Sequence, residues 1–169
     1  MKKLFIVSCL LIFWGCSQKS YLYWKNDFKN KYKTDKKIGI NVEVPEYLYS
    51  GKLVAKKNNK LILLKTEINQ IPDDFFTGYL VDSLSVLAGD YNIKSYPWEF
   101  QNNKPQKIYI VKIKDYFIDF DNKKVVLIGK INNKNFNIIK RYKKDYLGAY
   151  KKVYDELVLK IFKDIKEEE

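Results

Sequence analysis

Histidine is absent from all 169 residues. That removes the commonest general base, the usual activator of a serine or cysteine nucleophile and the commonest zinc ligand. Cysteine is nearly absent too: the two residues, Cys9 and Cys16, both precede position 17. A chain processed at Cys16 therefore has no intrachain disulfide and must be held by packing. The seven glycines are scattered singly, so no glycine-rich phosphate loop exists. Arg141 is the only arginine among 32 basic residues. Proteins that read phosphates or base edges lean on the arginine fork. The formal charge of +12 therefore does not indicate nucleic-acid recognition. Together with the abundant Asn, Ile and Tyr it indicates a compositional bias. A general attraction to acidic lipid headgroups survives that discount.

Long apolar runs are also missing, with one exception. Met1-Lys2-Lys3 is a positive start, Leu4 to Trp14 is apolar, and the chain turns polar at Ser17. The run is shorter than the roughly 20 residues that span a bilayer. It has the shape of a secretion signal, and Gly15-Cys16 is where a lipoprotein signal is cut. A simple cleaved signal needs a small-x-small site, which Phe13-Trp14-Gly15 does not supply. Cys9 follows too short an apolar region to compete. The expectation is that 1–15 is a lipoprotein signal peptide and that Cys16 carries the lipid. Residues 16–36 then form a lipidated tether with one short strand, at Tyr21-Leu22-Tyr23-Trp24, that joins the domain, and 37–169 form one domain.

Within that domain the elements follow from periodicity. Ile38, Ile40, Val42 and Val44 alternate with polar residues or glycine, giving a half-buried strand ended by Pro45. Leu53–Lys56 and Leu61–Lys65 flank Asn58-Asn59 and predict a hairpin. Ile71–Ala88 reads as a helix with Pro72 in its first turn, Asp73 and Asp74 at its positive end, and Gly89 as C-cap. A short strand over Tyr91–Ser95 leads into Tyr96-Pro97-Trp98. Strands over Lys107–Phe117, Lys124–Ile131 and Phe136–Tyr142 form a meander. Asp145 caps a closing helix, with Leu147, Tyr150, Tyr154, Leu157, Ile161 and Ile165 on one face. Lys151, Lys152, Lys160 and Lys163 line another. The fold class expected is α+β: a mixed, largely antiparallel sheet covered by two main helices.

No catalytic residue, cofactor or metal ligand is assigned. Asp73-Asp74 is explained by its helix end and Asp119 with Asp121 by a hairpin turn. Asp119-x-Asp121-Asn122 lacks the length and terminal glutamate of a calcium hand. A paired-carboxylate hydrolase finds no support in these clusters. Tyr96, Trp98 and Phe100 are expected to fill the core rather than anchor a partner, though Trp and Tyr concentrate interface energy. Tyr47, Leu48 and Tyr49 are either packed as a lid or displayed.

Val44-Pro45-Glu46-Tyr47-Leu48, Leu53-Val54, Asn59-Lys60-Leu61, the helix to Leu87 and Tyr96-Pro97-Trp98 follow in an order that resembles the ABC-type transport auxiliary lipoprotein family, the PqiC-like lipoproteins. That family has an LPxYL segment after its first domain strand, then a hairpin, a helix and a YPW segment. Tyr21-Leu22-Tyr23 stands where the family has a YYxL strand after the lipidated cysteine. The family's tryptophan shortly before its first helix is replaced here by Asn69 and Gln70. The resemblance implies a non-enzymatic, lipid-anchored periplasmic protein. Its partners would be an ABC transporter and an MCE-type protein that move lipids between membranes, and some members form homo-oligomeric rings. Pro45, Tyr47, Leu48, Tyr96, Pro97 and Trp98 are then candidates for structure or docking. Ser17, not aspartate, follows Cys16, which favours the periplasmic face of the outer membrane. The alternative is a carrier that itself binds a lipid or other apolar ligand in an enclosed pocket.

Overall fold

The computed structural model describes residues 20–29, 33–89, 92–100 and 104–167; the leader and Cys16 lie outside them. In chain order the elements are β1 (Ser20–Tyr21), β2 (Ile38–Glu43), a 3-10 turn (Glu46–Ser50), β3 (Lys52–Lys57), β4 (Lys60–Glu67), α1 (Pro72–Ala88) and β5 (Ile93–Ser95). They continue with β6 (Lys107–Asp119), β7 (Lys124–Ile131), β8 (Lys134–Arg141) and α2 (Tyr146–Glu167). This is the expected α+β domain: a mixed sheet whose longest ladders are antiparallel, covered by two helices.

Local chemistry sets the boundaries. Asn58 and Asn59 take φ of 50° and 60°, the two positive values a tight hairpin turn demands and asparagine tolerates. Asn132, with φ of 50°, does the same between β7 and β8, so β8 begins at Lys134, earlier than the periodicity suggested. Gly89 caps α1 in the left-handed region with φ of 60°, its N–H donating to the Ser85 carbonyl. The Gly148 N–H donates to Asp145 Oδ1 at 2.7 Å, the expected cap of α2.

β6 is the hub of the sheet. β7 runs along one of its edges from Val111 to Asp119, and β8 continues that side. The other edge is shared. β2 pairs in parallel with Lys107–Lys112, while β3 pairs in parallel only with Ile118 and Asp119. β5 extends the β2 branch; β4 and then β1 extend the β3 branch. The sheet is therefore split along one side. β2 outruns β5, and α1 side chains take over its free N–H groups: Val42 donates to Thr77 Oγ1 at 3.0 Å and Val44 to Asp73 Oδ1 at 2.9 Å.

The alternation of β6 breaks in mid-strand. Tyr109, Val111 and Ile113 are core residues, and so are Tyr116 and Ile118. A bulge between Ile113 and Asp115, opposite Gly129, absorbs the change of phase, so both halves turn to the core. A Cβ on Gly129 would lie 2.3 Å from the Lys112 carbonyl oxygen and 2.8 Å from the Phe136 ring.

The core is aromatic where the helices meet the sheet. Tyr116 of β6 stacks on Tyr150 of α2, with centroids 3.8 Å apart and planes 7° from parallel. Phe76 of α1 packs against Tyr116 and Tyr154 at 5.6 Å and 5.2 Å. Trp24 joins them, 4.9 Å from Tyr79 and 5.3 Å from Tyr154. The expected short strand does join the domain, though among the described residues only Ser20 and Tyr21 pair as β1: Leu22 and Trp24 are buried while Tyr21 and Tyr23 face out. On the lysine face of α2, Lys152, Lys160 and Lys163 are exposed and Lys151 is set deeper. Lys151 is not solvated but bonds Asp155 at 3.0 Å and Asp27 at 3.3 Å, its side chain 18% exposed. Burial disfavours its charge, but Tyr79 and Asp155 outweigh that and hold the ammonium above the ordinary lysine range.

Two glycines give opposite expectations. Gly129→Ala destabilises by about 1–3 kcal/mol because the added methyl meets backbone. Gly78→Ala, where nothing lies within 4 Å of the added Cβ, stabilises by up to about 1 kcal/mol through helix propensity. A urea unfolding midpoint for Gly129→Ala no lower than that of the unmodified chain would refute this account of the bulge.

Candidate functional site

The two aromatic segments singled out in the sequence play different parts. Pro45, extended at φ −68° and ψ 150°, closes β2 and precedes the 3-10 turn, its carbonyl accepting from the Leu48 N–H at 3.0 Å. Leu48 is fully buried. Tyr47 reaches into the split side of the sheet, where its hydroxyl accepts the Tyr116 N–H at 2.7 Å. That N–H lies between the stretches of β6 that β2 and β3 occupy, so Tyr47 supplies an acceptor where no strand does. Burial pushes the Tyr47 hydroxyl up to about 12. Tyr49 is exposed and donates to Asp73 Oδ2, a bond that carries it to about 12. Of the two readings left open for this segment, the lid holds for Tyr47 and Leu48.

Tyr96, Pro97 and Trp98 differ. The Tyr96 N–H donates to the Ile40 carbonyl at 2.7 Å, continuing β5 beside β2, and the Tyr96–Pro97 peptide is cis. Two further backbone bonds, Glu99 N–H to Ser95 and Phe100 N–H to Pro97, wind the turn, and Glu99 Oε2 accepts the Ser95 N–H at 2.6 Å. Tyr96 and Phe100 are half-buried, with centroids 6.4 Å apart. Gly39 permits this closeness, since a Cβ there would lie 3.0 Å from Tyr96 Cβ and 3.2 Å from Pro105 Cγ. Trp98 is 77% exposed. The expectation that it fills the core is overturned: the turn uses Tyr96 and Phe100 as its footing and holds the indole outward. Nothing in the periodicity of a four-residue turn distinguishes the ring that packs from the ring that does not.

A third feature was missed by sequence reasoning. Leu22, Tyr23, Trp24, Phe75, Gly78 and Tyr79 line an open groove of about 430 Å³, rimmed by Asp74 and Asp82 together with Asn69 and Gln70. Trp24 thus stands beside Asn69 and Gln70 in this groove. Burial, with the Glu99 carboxylate behind it, pushes the Asp82 carboxyl upward. The Tyr79 hydroxyl donates to Asp155 at 2.6 Å; burial and that bond push it up to about 12.

Asp119 is committed to its turn. Oδ1 accepts the Asn122 N–H at 3.0 Å, Oδ2 accepts the Asn122 side-chain amide at 2.9 Å, and Lys124 lies 3.8 Å away. Among the described residues no group of three acidic, cysteine or histidine side chains could hold a metal, and no helix is long and apolar enough to cross a membrane.

No protein-family model matches the chain and no curated protein matches it. Solved structures do. One, titled only as an uncharacterized protein, superposes with a TM-score of 0.65 at 16% identity, covering 87% of this chain and 98% of its own. Another, protein XCC0632 from Xanthomonas campestris, a DUF330 structure, gives 0.62 at 9% identity and covers 89% of this chain and 99% of its own. At such identities the likeness concerns the fold.

Two outcomes follow from this geometry. Tyr47→Phe leaves the Tyr116 amide without an acceptor and costs about 1–3 kcal/mol, read as lower urea stability and faster hydrogen exchange at that amide; Tyr49→Phe leaves both unchanged. Burial would raise Asp119, but Asn122, Lys124 and Lys56 outweigh it and lower its pKa. A lowered folded value contributes stability that is present above the unfolded value of about 3.9 and is lost as pH falls through the folded one. Asp119→Asn therefore destabilises at neutral pH, and its difference from the unmodified chain shrinks in acid; a constant difference from pH 7 to pH 2 is the contrary result.

Proposed function

We propose that this chain is a non-enzymatic lipoprotein of the ABC-type transport auxiliary, PqiC-like kind, an accessory component of an ABC/MCE-type intermembrane lipid transport system. Acylated Cys16 anchors it at the periplasmic face of the outer membrane, and the domain docks the transport conduit. The observation that carries the docking role is Trp98. A large ring at 77% exposure, held outward on a turn with a packed footing, is the kind of residue that concentrates interface energy. Pro45, Tyr47 and Leu48 serve structure on this reading.

A homo-oligomeric ring belongs to the same proposal. Among the described residues β1 covers β4 only at Thr66 and Glu67, and Leu61 and Leu63 are exposed beyond that point. An uncovered edge of that kind invites pairing with another strand. The carrier reading has less support. Tyr109, Tyr116, Tyr150, Tyr154 and Phe76 fill the interior, and the groove beside Trp24 is open.

Crosslinked pull-down of the full chain from its native host tests the docking role. The expected result is recovery of an MCE-type protein or transporter subunit, weakened by Trp98→Ala at a cost of about 2 kcal/mol or more. The same substitution shifts unfolding by no more than about 0.5 kcal/mol. Failure to recover any transporter component, under conditions that recover other envelope complexes, sinks the proposal.

A further inference from the structure

β1 begins at Ser20, four residues after Cys16. Four residues of fully extended chain reach about 14 Å. If Cys16 is acylated, as proposed above, its glyceryl group lies in a bilayer and the start of β1 lies within that reach of it. The start of β1 cannot swing away, because it is built into the sheet. Ser20 and Tyr21 pair with Thr66 and Glu67, the Leu22 N–H donates to Glu67 at 2.7 Å, and Leu22 and Trp24 are core residues.

The residues around this entry point suit a lipid interface. Tyr21 is 50% exposed, Tyr23 84% and Ile71 62%. Tyr21 and Tyr23 alternate outward as Leu22 and Trp24 alternate inward. Tyr23 lines the groove with Asn69 and Gln70, and Ile71 follows directly. Tyrosine concentrates at membrane–water boundaries, where its ring meets acyl chains and its hydroxyl meets headgroups. The positive charge of the chain as a whole adds attraction to acidic headgroups, while Asp74 and Asp82 at the groove oppose it.

We propose that the face bearing Tyr21, Tyr23 and Ile71 rests in the headgroup layer of a phospholipid bilayer, so that the anchored domain lies against lipid in one orientation rather than hanging from a tether. The test exploits the scarcity of cysteine: an acylated mature chain has no other thiol. Spin labels are placed at Tyr23→Cys, Ile71→Cys and Ile139→Cys in acylated full-chain protein, reconstituted on vesicles of phosphatidylethanolamine and phosphatidylglycerol. Ile139, also exposed, is on β8, five strands from β1 through β4, β3, β6 and β7, about 24 Å across the sheet. The expected result is an oxygen-to-nickel accessibility ratio several-fold higher at positions 23 and 71 than at 139. Equal ratios at all three positions, with the diacylglyceryl group on Cys16 confirmed by mass spectrometry, overturn the orientation and leave the anchor standing. A mature chain without that group overturns both.

Discussion

The aromatic cluster between α1, α2 and β6 is the constraint on which the rest of the fold depends. With no cysteine beyond position 16, the distant parts of the chain are joined by rings. Trp24 comes from the entry segment, Phe75, Phe76 and Tyr79 from α1, Tyr116 from β6, and Tyr150 and Tyr154 from α2. Each pair adds about 0.5–1.5 kcal/mol beyond its buried area. The tyrosines add direction: Tyr116 donates to the Tyr150 carbonyl at 2.5 Å and Tyr154 to the Phe76 carbonyl at 2.9 Å. A phenylalanine cluster could slide by part of a turn; these hydroxyls fix α2 against β6 and against α1. Burial holds Tyr116, Tyr150 and Tyr154 well above 10. They stay neutral at physiological pH, and without histidine no side chain near its ordinary pKa changes charge between pH 5 and 8.

The split side of β6 is the second constraint, and it explains the Pro45–Leu48 segment. A strand with two partners in succession on one edge leaves a gap between them, and a buried amide in that gap costs more than the bond it lacks. Tyr47 fills the gap with a hydroxyl, and Leu48, next to it, is anchored in the core. The bulge opposite Gly129 solves a related problem on the other edge. Changing phase once lets a long strand serve both halves of the core, and the glycine makes room for the displaced backbone.

Much of this was legible in the sequence because it was local. The hairpin asparagines, the Gly89 and Asp145 caps, the meander and both helices arise from contacts within a few residues. Four features were not legible, for one physical reason: each is decided by what lies across the fold. Lys151 stands in a row of helix lysines, yet Tyr79 of α1 and Asp27 of the entry segment meet it from far along the chain. Trp98 and Phe100 have similar neighbours, but Gly39 admits Tyr96 and leaves the indole outside. The branching of β6 cannot be seen in its own periodicity. Trp24 reads as part of a tether because its partners are on two helices that come later.

The branching also bears on how force would pass through the molecule under the proposed role. The entry point at Ser20 belongs to the β3 branch, through β4 and β1, and the turn carrying Trp98 belongs to the β2 branch, through β5. A pull between a lipid anchor and a docked partner therefore cannot be taken up inside one hairpin. It must cross β6, α1, which runs from the end of β4 to β5, or the aromatic cluster. Along β6 the load falls on the β2–β6 ladder, where parallel hydrogen bonds resist sliding together. In the cluster it falls on Trp24, wedged against Phe75, Phe76, Tyr79 and Tyr154. Leu22 and Trp24 are tied into the core, which a simple leash would not need. It is what a short, stiff attachment requires.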